Sequence, residues 1–193
     1  MEPPLYLPYV VETETKMPSP LCHSRLRLSL VDAAILLCLL LLLLNLVTRR
    51  GTSLSAQPAP PLCITTPHGT LSLANYRNHV VLLDFFASWC LPCRISIPST
   101  ERLYRRYHRR GFEVIGISLD NQPSQLSAFL RNTGITYPAG LPVTGDILKT
   151  YQVQTIPLLI LVDKQGRLRW RQEGLGLLTE RQLEAQVQTL LKE

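Results

Sequence analysis

The chain has 193 residues, 46% of them hydrophobic, and a formal charge of +6. That length allows one domain of ordinary size plus an appendage, and the hydrophobic fraction is inflated by one leucine-rich run. The basic residues are scattered except for Arg102, Arg105, Arg106, Arg109 and Arg110, which read as a solvated face late in a helix; with no accompanying ladder of aromatic and basic side chains, nucleic-acid binding is set aside.

Residues 1–29 are read as a tail, proline-rich and of mixed charge at the start, with no hydrophobic periodicity to organise it. Residues 30–47 then form an apolar run with Asp32 near one end and Asn45 near the other. As a helix rising about 1.5 Å per residue the run reaches roughly 27 Å, against a hydrocarbon core of about 30 Å, and is expected to cross a membrane once as a retained anchor. A cleaved signal peptide competes with this reading, but the preceding tail is long and Ser53, Ser55 and Ala56 make a poor cleavage site. Lys16, Arg25 and Arg27 precede the run while Arg49 and Arg50 follow it, so charge gives only a slight lean towards a cytoplasmic N-terminus. Residues 48–61, with Pro58, Pro60 and Pro61, read as a linker that holds the following domain off the bilayer.

The domain is expected over residues 62–193. Residues 64–66 and 70–73, either side of Pro67-His68-Gly69, read as a hairpin, and 73–79 lead into a buried strand over 80–86 that is apolar except for Asp84. An unpaired carboxylate in such a strand is costly, so Asp84 is kept for a function or faces a wet rim. Cys90-Leu91-Pro92-Cys93 follows, and a helical pattern runs on towards Arg110 with Pro98 inside it. Cys90 therefore stands where unpaired N–H groups and the positive end of the helix dipole favour a thiolate, which marks it as the nucleophile. Cys93, one turn on, is placed to resolve a mixed disulfide on Cys90. Further along come a strand over 112–119, a helix over 123–132 ending at Gly134, an extended piece over 135–140, and a short helix over 144–151 capped by Thr144. An apolar strand over 157–162, a turn at Asp163-Lys164-Gln165-Gly166, an alternating strand over 167–172 and an amphipathic helix over 179–190 complete an α/β pattern without internal repeat. Cys22, Cys38 and Cys63 have no spacing partner and read as non-catalytic, Cys63 alone being expected to meet an oxidising compartment.

A lone C-x-x-C is also half of a zinc site. Trp89-Cys90-Leu91-Pro92-Cys93 after an apolar strand, with Thr155-Ile156-Pro157 before another, resembles the thioredoxin superfamily, and within it the membrane-anchored thiol-disulfide oxidoreductases of the ResA and TlpA kind. The resemblance covers residues 61–192. It implies a thioredoxin-like fold, a central mixed sheet flanked by helices, here preceded by one transmembrane helix. It also implies a redox-active disulfide between Cys90 and Cys93, Asp84 as the proton acceptor for Cys93, and a cis Pro157 facing the cysteines. The backbone of Ile156 would then pair with an extended substrate, with Trp89 and Pro92 beside it. The segment 123–140 matches the insertion that this kind adds to a minimal thioredoxin. Ser96 departs from the glutamate that many ResA-like proteins carry three residues after the second cysteine, so a role in cytochrome c maturation is not carried over.

The implied activity is disulfide exchange with exported proteins, as reductant or isomerase, because Leu91-Pro92 brings no charge or histidine to favour the reduced thiolate strongly. No cofactor or metal is called for. The implied setting is the cytoplasmic (inner) membrane with the domain on the periplasmic or extracytoplasmic side, and a membrane or periplasmic redox partner would recycle the dithiol. Two other activities fit a dithiol domain: thiol-dependent peroxide reduction, and Cu(I) binding by a tethered module.

Overall fold

A computed structural model describes residues 30–48, 52–143, 145–176 and 179–193. The chain divides into two compact units, residues 1–37 and 38–193. The expected tail lies outside the described residues, as does Thr144. A helix, α1, runs Leu30–Thr48. Its side chains are described over 31–44, about 21 Å of helix at about 1.5 Å per residue, and are exposed. Among the described residues no helix is long and apolar enough to cross a membrane.

In the second unit, among the described residues, eight strands form one mixed sheet, built from β1 (Thr52–Ser53), β2 (Cys63–Thr66), β3 (Gly69–Ser72), β4 (Val80–Phe86), β5 (Phe112–Ser118), β6 (Ala139–Pro142), β7 (Leu158–Val162) and β8 (Leu168–Glu173) in the spatial order β1-β8-β7-β4-β5-β6-β2-β3. β4 is central and buried along its whole length, parallel to β5 and antiparallel to β7. A strand covered on both faces must be apolar throughout, which is why Val, Leu and Phe fill it. Side chains alternate across the sheet. Val81, Leu83 and Phe85 enter one apolar cluster with Ile115, Ile117 and Ile160. Val80, Leu82 and Phe86 point the other way, to clusters that also hold residues of α2 (Leu91–Tyr107), α3 (Pro123–Thr133) and α5 (Thr179–Lys192). Asp84 shares the parity of Leu82 and Phe86, so it is directed to the α2 face.

α2 buries Cys93, Ile97, Thr100, Leu103 and Tyr107, a stripe at steps of three and four residues that covers this face of the sheet. Pro98 is accommodated without ending the helix, which closes through a 3-10 turn (His108–Arg110) at Gly111, where φ is +88°. The arginines of α2 do more than face solvent: Arg102 pairs with Glu180 at 2.9 Å and Arg106 with Glu184 at 2.7 Å, tying α2 to α5.

Three expected elements shift. Within the extended piece expected over 135–140 the strand begins only at Ala139 and runs to Pro142, because Pro138 has no N–H to give a ladder and contributes its carbonyl instead, accepting from Gly116 N at 2.9 Å. The helix expected over 144–151 is α4, Ile147–Thr150, capped by Asp146, whose carboxylate accepts from Lys149 N at 3.1 Å. Within the stretch read as a linker, Thr52–Ser53 pairs with β8, and the backbone continues to bond alongside it through Leu54, Gln57 and Ala59. The open edge of β8 offers unpaired backbone groups, which an extended proline-containing strand can satisfy at intervals.

Candidate active site

Cys90 stands at the junction of β4 and α2 as the helix cap, with extended backbone (φ −83°, ψ 103°). Its sulfur accepts from Cys93 N at 3.2 Å and is bonded to Cys93 Sγ, the Cα atoms lying 5.3 Å apart. A hydrogen-bond donor and the helix N-terminus both favour negative charge on that sulfur once the disulfide opens. Pro92 suits the first turn, where an N–H is unneeded. Cys90 is 4% exposed and Cys93 wholly buried, so an incoming sulfur reaches Cys90 first.

Ile156 and Pro157 are joined by a cis bond, and Cys90 Sγ lies 3.9 Å from Ile156 O. Trp89 (69% exposed), Leu91 (68%) and Ile95 (57%) surround the cysteines with apolar surface, Pro92 is exposed and Ile156 half-buried. A folded monomer seldom leaves neighbouring large apolar side chains bare unless something docks there.

On the α2 face of β4, Asp84 is fully buried. Burial pushes its carboxyl up to about 6, against the opposing pull of a hydrogen bond from Tyr137. Tyr137 Oη donates to Asp84 Oδ2 at 2.9 Å, while Oδ1 has no hydrogen-bond partner among the described residues. Gly116 stands beside Asp84 in the β4–β5 register. A Cβ on it would come within 2.8 Å of Ala139 Cβ, 3.0 Å of Phe86 Cε1 and 3.2 Å of Tyr137 Cε2. The missing side chain leaves room that Ala139, Phe86 and the edge of the Tyr137 ring share.

The approach to Cys90 is clamped from two directions. Asp120, after β5, accepts from Ser88 N at 3.1 Å and Ser88 Oγ at 2.8 Å, and from Ser118 Oγ at 2.8 Å. Arg94, in the first turn of α2, donates to Ser88 O from Nε at 3.1 Å and Nη2 at 2.7 Å, its guanidinium 5.3 Å from the centre of the Phe129 ring. Backbone N–H, hydroxyl and carbonyl of Ser88 are thus all engaged.

The model of the AhpC/TSA family matches residues 56–171, more than half of the chain. The chain belongs to that family. It is 32% identical over 127 residues to a thiol-disulfide oxidoreductase ResA of Bacillus thuringiensis subsp. konkukian (strain 97-27), covering 65% of this chain and 72% of the relative. With the ResA of Geobacillus kaustophilus (strain HTA426) it shares 27% over 147 residues, 76% of this chain and 83% of the relative. A crystal structure from Chlorobium tepidum assigned to the thiol:disulfide interchange protein DsbE superposes with a TM-score of 0.68 at 27% identity, covering 72% of this chain and 99% of that one. A second Chlorobium tepidum structure, of the thioredoxin family, gives 0.62 at 24% identity with the same coverage and supports the thioredoxin-like fold.

Of the residues singled out in the sequence, Cys90, Cys93, Trp89, Pro92, Ile156 and Pro157 come together at one end of the sheet, and Asp84 lies buried on the α2 face, not at a wet rim. Tyr137, Gly116, Asp120, Ser88 and Arg94 were not read from the sequence. Asp120 had a local signal, a carboxylate just past the end of a buried strand. Tyr137 had none, since its partner is 53 positions away. Cys38 is free and exposed and Cys63 free and half-buried. Among the described residues no group of three metal-ligating side chains is gathered.

Proposed function

We propose that this chain is a thiol-disulfide oxidoreductase that exchanges disulfides with exported proteins, acting as reductant or isomerase. The observation that carries the reading is the Cys90–Cys93 disulfide at the N-terminus of α2, with Cys90 slightly exposed and Cys93 wholly buried. The names of the reported relatives weigh in the same direction, and against peroxide reduction.

In the reducing direction the Cys90 thiolate attacks one sulfur of a substrate disulfide. A bond forms between Cys90 Sγ and that sulfur, and the other substrate sulfur leaves as a thiolate and takes a proton from water. Asp84 then accepts the proton of Cys93, and the Cys93 thiolate attacks Cys90 Sγ. The Cys90–Cys93 bond forms, the second substrate thiolate leaves, and two electrons have passed to the substrate. A carboxyl held near 6 suits this step, being mostly ionised at neutral pH yet basic enough to receive a proton transiently. A redox partner on the same side of the membrane returns the electrons. Ile156 offers its backbone, and Trp89, Leu91 and Pro92 their apolar surface, to an extended substrate segment.

In this reading α1 belongs to a single-pass anchor in the cytoplasmic (inner) membrane, and the domain works on the periplasmic or extracytoplasmic side. The apolar sequence over 30–47 supports it, as does the use of a dithiol, which persists as a disulfide in oxidising compartments.

Trapping tests the activity. A Cys93→Ser chain expressed in cells should accumulate mixed disulfides through Cys90, dissociable by reductant. A Cys90→Ser chain should trap none, and equal trapping by both variants would overturn the assignment.

A further inference from the structure

We propose that Tyr137 is a positioning residue for the dithiol chemistry: its hydroxyl fixes one carboxylate oxygen of Asp84 and leaves the other free to take the proton from Cys93. The inference rests on the reading of Asp84 as the base.

Three contacts hold Tyr137 itself, and a fourth holds the residue before it. Its ring edge lies against Gly116, 3.2 Å from where a Cβ would stand. Tyr104 of α2 meets it edge to face at 5.9 Å. The preceding residue, Thr136, gives both its N–H (2.9 Å) and its hydroxyl (2.6 Å) to Glu101, which is also on α2. The hydroxyl itself ends on Asp84 Oδ2. The helix that carries Cys93 therefore also holds the residue that orients the base, so acid and base are referenced to one rigid element.

The arrangement divides the work of the carboxylate. Oδ2 accepts from a phenol that stays protonated, because burial and the neighbouring Asp84 raise Tyr137 well above its ordinary range. Among the described residues Oδ1 has no hydrogen-bond partner. A buried acceptor left open is expensive unless it has a use, and taking a proton from a thiol is such a use. The elements around Asp84 bring few other titratable groups. β5 and β7 set Gly116 and Leu159 in register with it, α5 brings buried Leu183, Val187 and Leu190, and α2 brings Cys93 among apolar residues and Thr100.

The test uses the full-length chain loaded with a chromophoric disulfide on Cys90, with release by Cys93 timed across pH. Tyr137→Phe keeps the ring and removes the donor, so the carboxylate form of Asp84 loses stabilisation. The midpoint of the release profile should rise by about one pH unit, which slows release roughly tenfold below the midpoint. The first attack by Cys90 should change less than twofold. Replacing Tyr137 by 3,5-difluorotyrosine keeps the shape, makes the phenol a stronger donor and should move the midpoint down. Carbon-13 titration of the Asp84 carboxyl should follow both shifts. Unchanged midpoints, or shifts in the same direction for both replacements, overturn the inference even if thermal stability falls. Asp84→Asn separates the two failures. If it leaves the parent profile intact, the base reading is wrong; if it flattens the profile while the Tyr137 replacements do nothing, only the positioning role is wrong.

Discussion

Asp120 holds Ser88 by its backbone and its side chain at once, taking the N–H at 3.1 Å and the hydroxyl at 2.8 Å, two residues before the proposed nucleophile Cys90. A carboxylate from the end of β5 thereby fixes the chain between β4 and α2. Asp120→Ala should leave Ser88 N–H and Ser118 hydroxyl without their acceptor and cost about 3 kcal/mol in urea unfolding. It should also slow attack by Cys90, because the cap geometry loses its upstream support. A loss below about 0.5 kcal/mol, the range of ordinary surface substitutions, would show that the clamp does not organise the site.

Asp84 makes stability depend on pH in a direction opposite to most carboxylates. Its folded value, about 6, lies above the unfolded 3.8, so between these pH values the folded state binds more protons than the unfolded state. The contribution of this group is fully present below about pH 4 and is lost as pH rises through about 6. Asp84→Asn removes the titration while keeping an acceptor for Tyr137. The oxidised variant should match the parent near pH 4 and exceed it by up to about 3 kcal/mol at pH 7.5, two pH units at about 1.4 kcal/mol each. Urea unfolding of both chains at the two pH values checks this. A variant less stable than the parent at pH 7.5 would contradict it.

Cys90 and Cys93 should separate in alkylation of the reduced chain. Cys90, at the helix N-terminus and nearer the surface, should react first and titrate below the ~8.5 of a free thiol. Cys93, fully buried, should react at least tenfold more slowly. Peptide mapping distinguishes these labels from those on the free Cys38 and Cys63. Faster labelling of Cys93 would reverse the proposed roles.

The proposed anchor predicts fractionation. The full chain should stay with membranes through high-salt and carbonate washes, and a reporter active only outside the cytoplasm should work when fused after Glu193. Recovery in the soluble fraction with a shortened N-terminus would favour a cleaved signal, and activity from a cytoplasmic reporter alone would overturn the exported placement.

Sequence alone determined the elements whose cause is local. β4 spans Val80–Phe86 as its apolar run predicts, because a strand buried on both faces has to be apolar at every step. Cys90 falls at the start of α2 and Cys93 one turn inside it because three residues make about one helical turn. Asp84 was legible as an anomaly, a carboxylate where only apolar side chains are cheap. Tertiary structure decided what depends on distant partners. Pairing with β5 set the start of β6 after Pro138, and β8 took up Thr52–Ser53 as an edge strand within the expected linker. Tyr137 reaches Asp84 only because Gly116, in register on the next strand, leaves room for the edge of its ring. A hydrogen bond between positions 84 and 137 leaves no periodic trace in a sequence, since it is fixed by how strands and helices pack and not by the order of neighbouring residues.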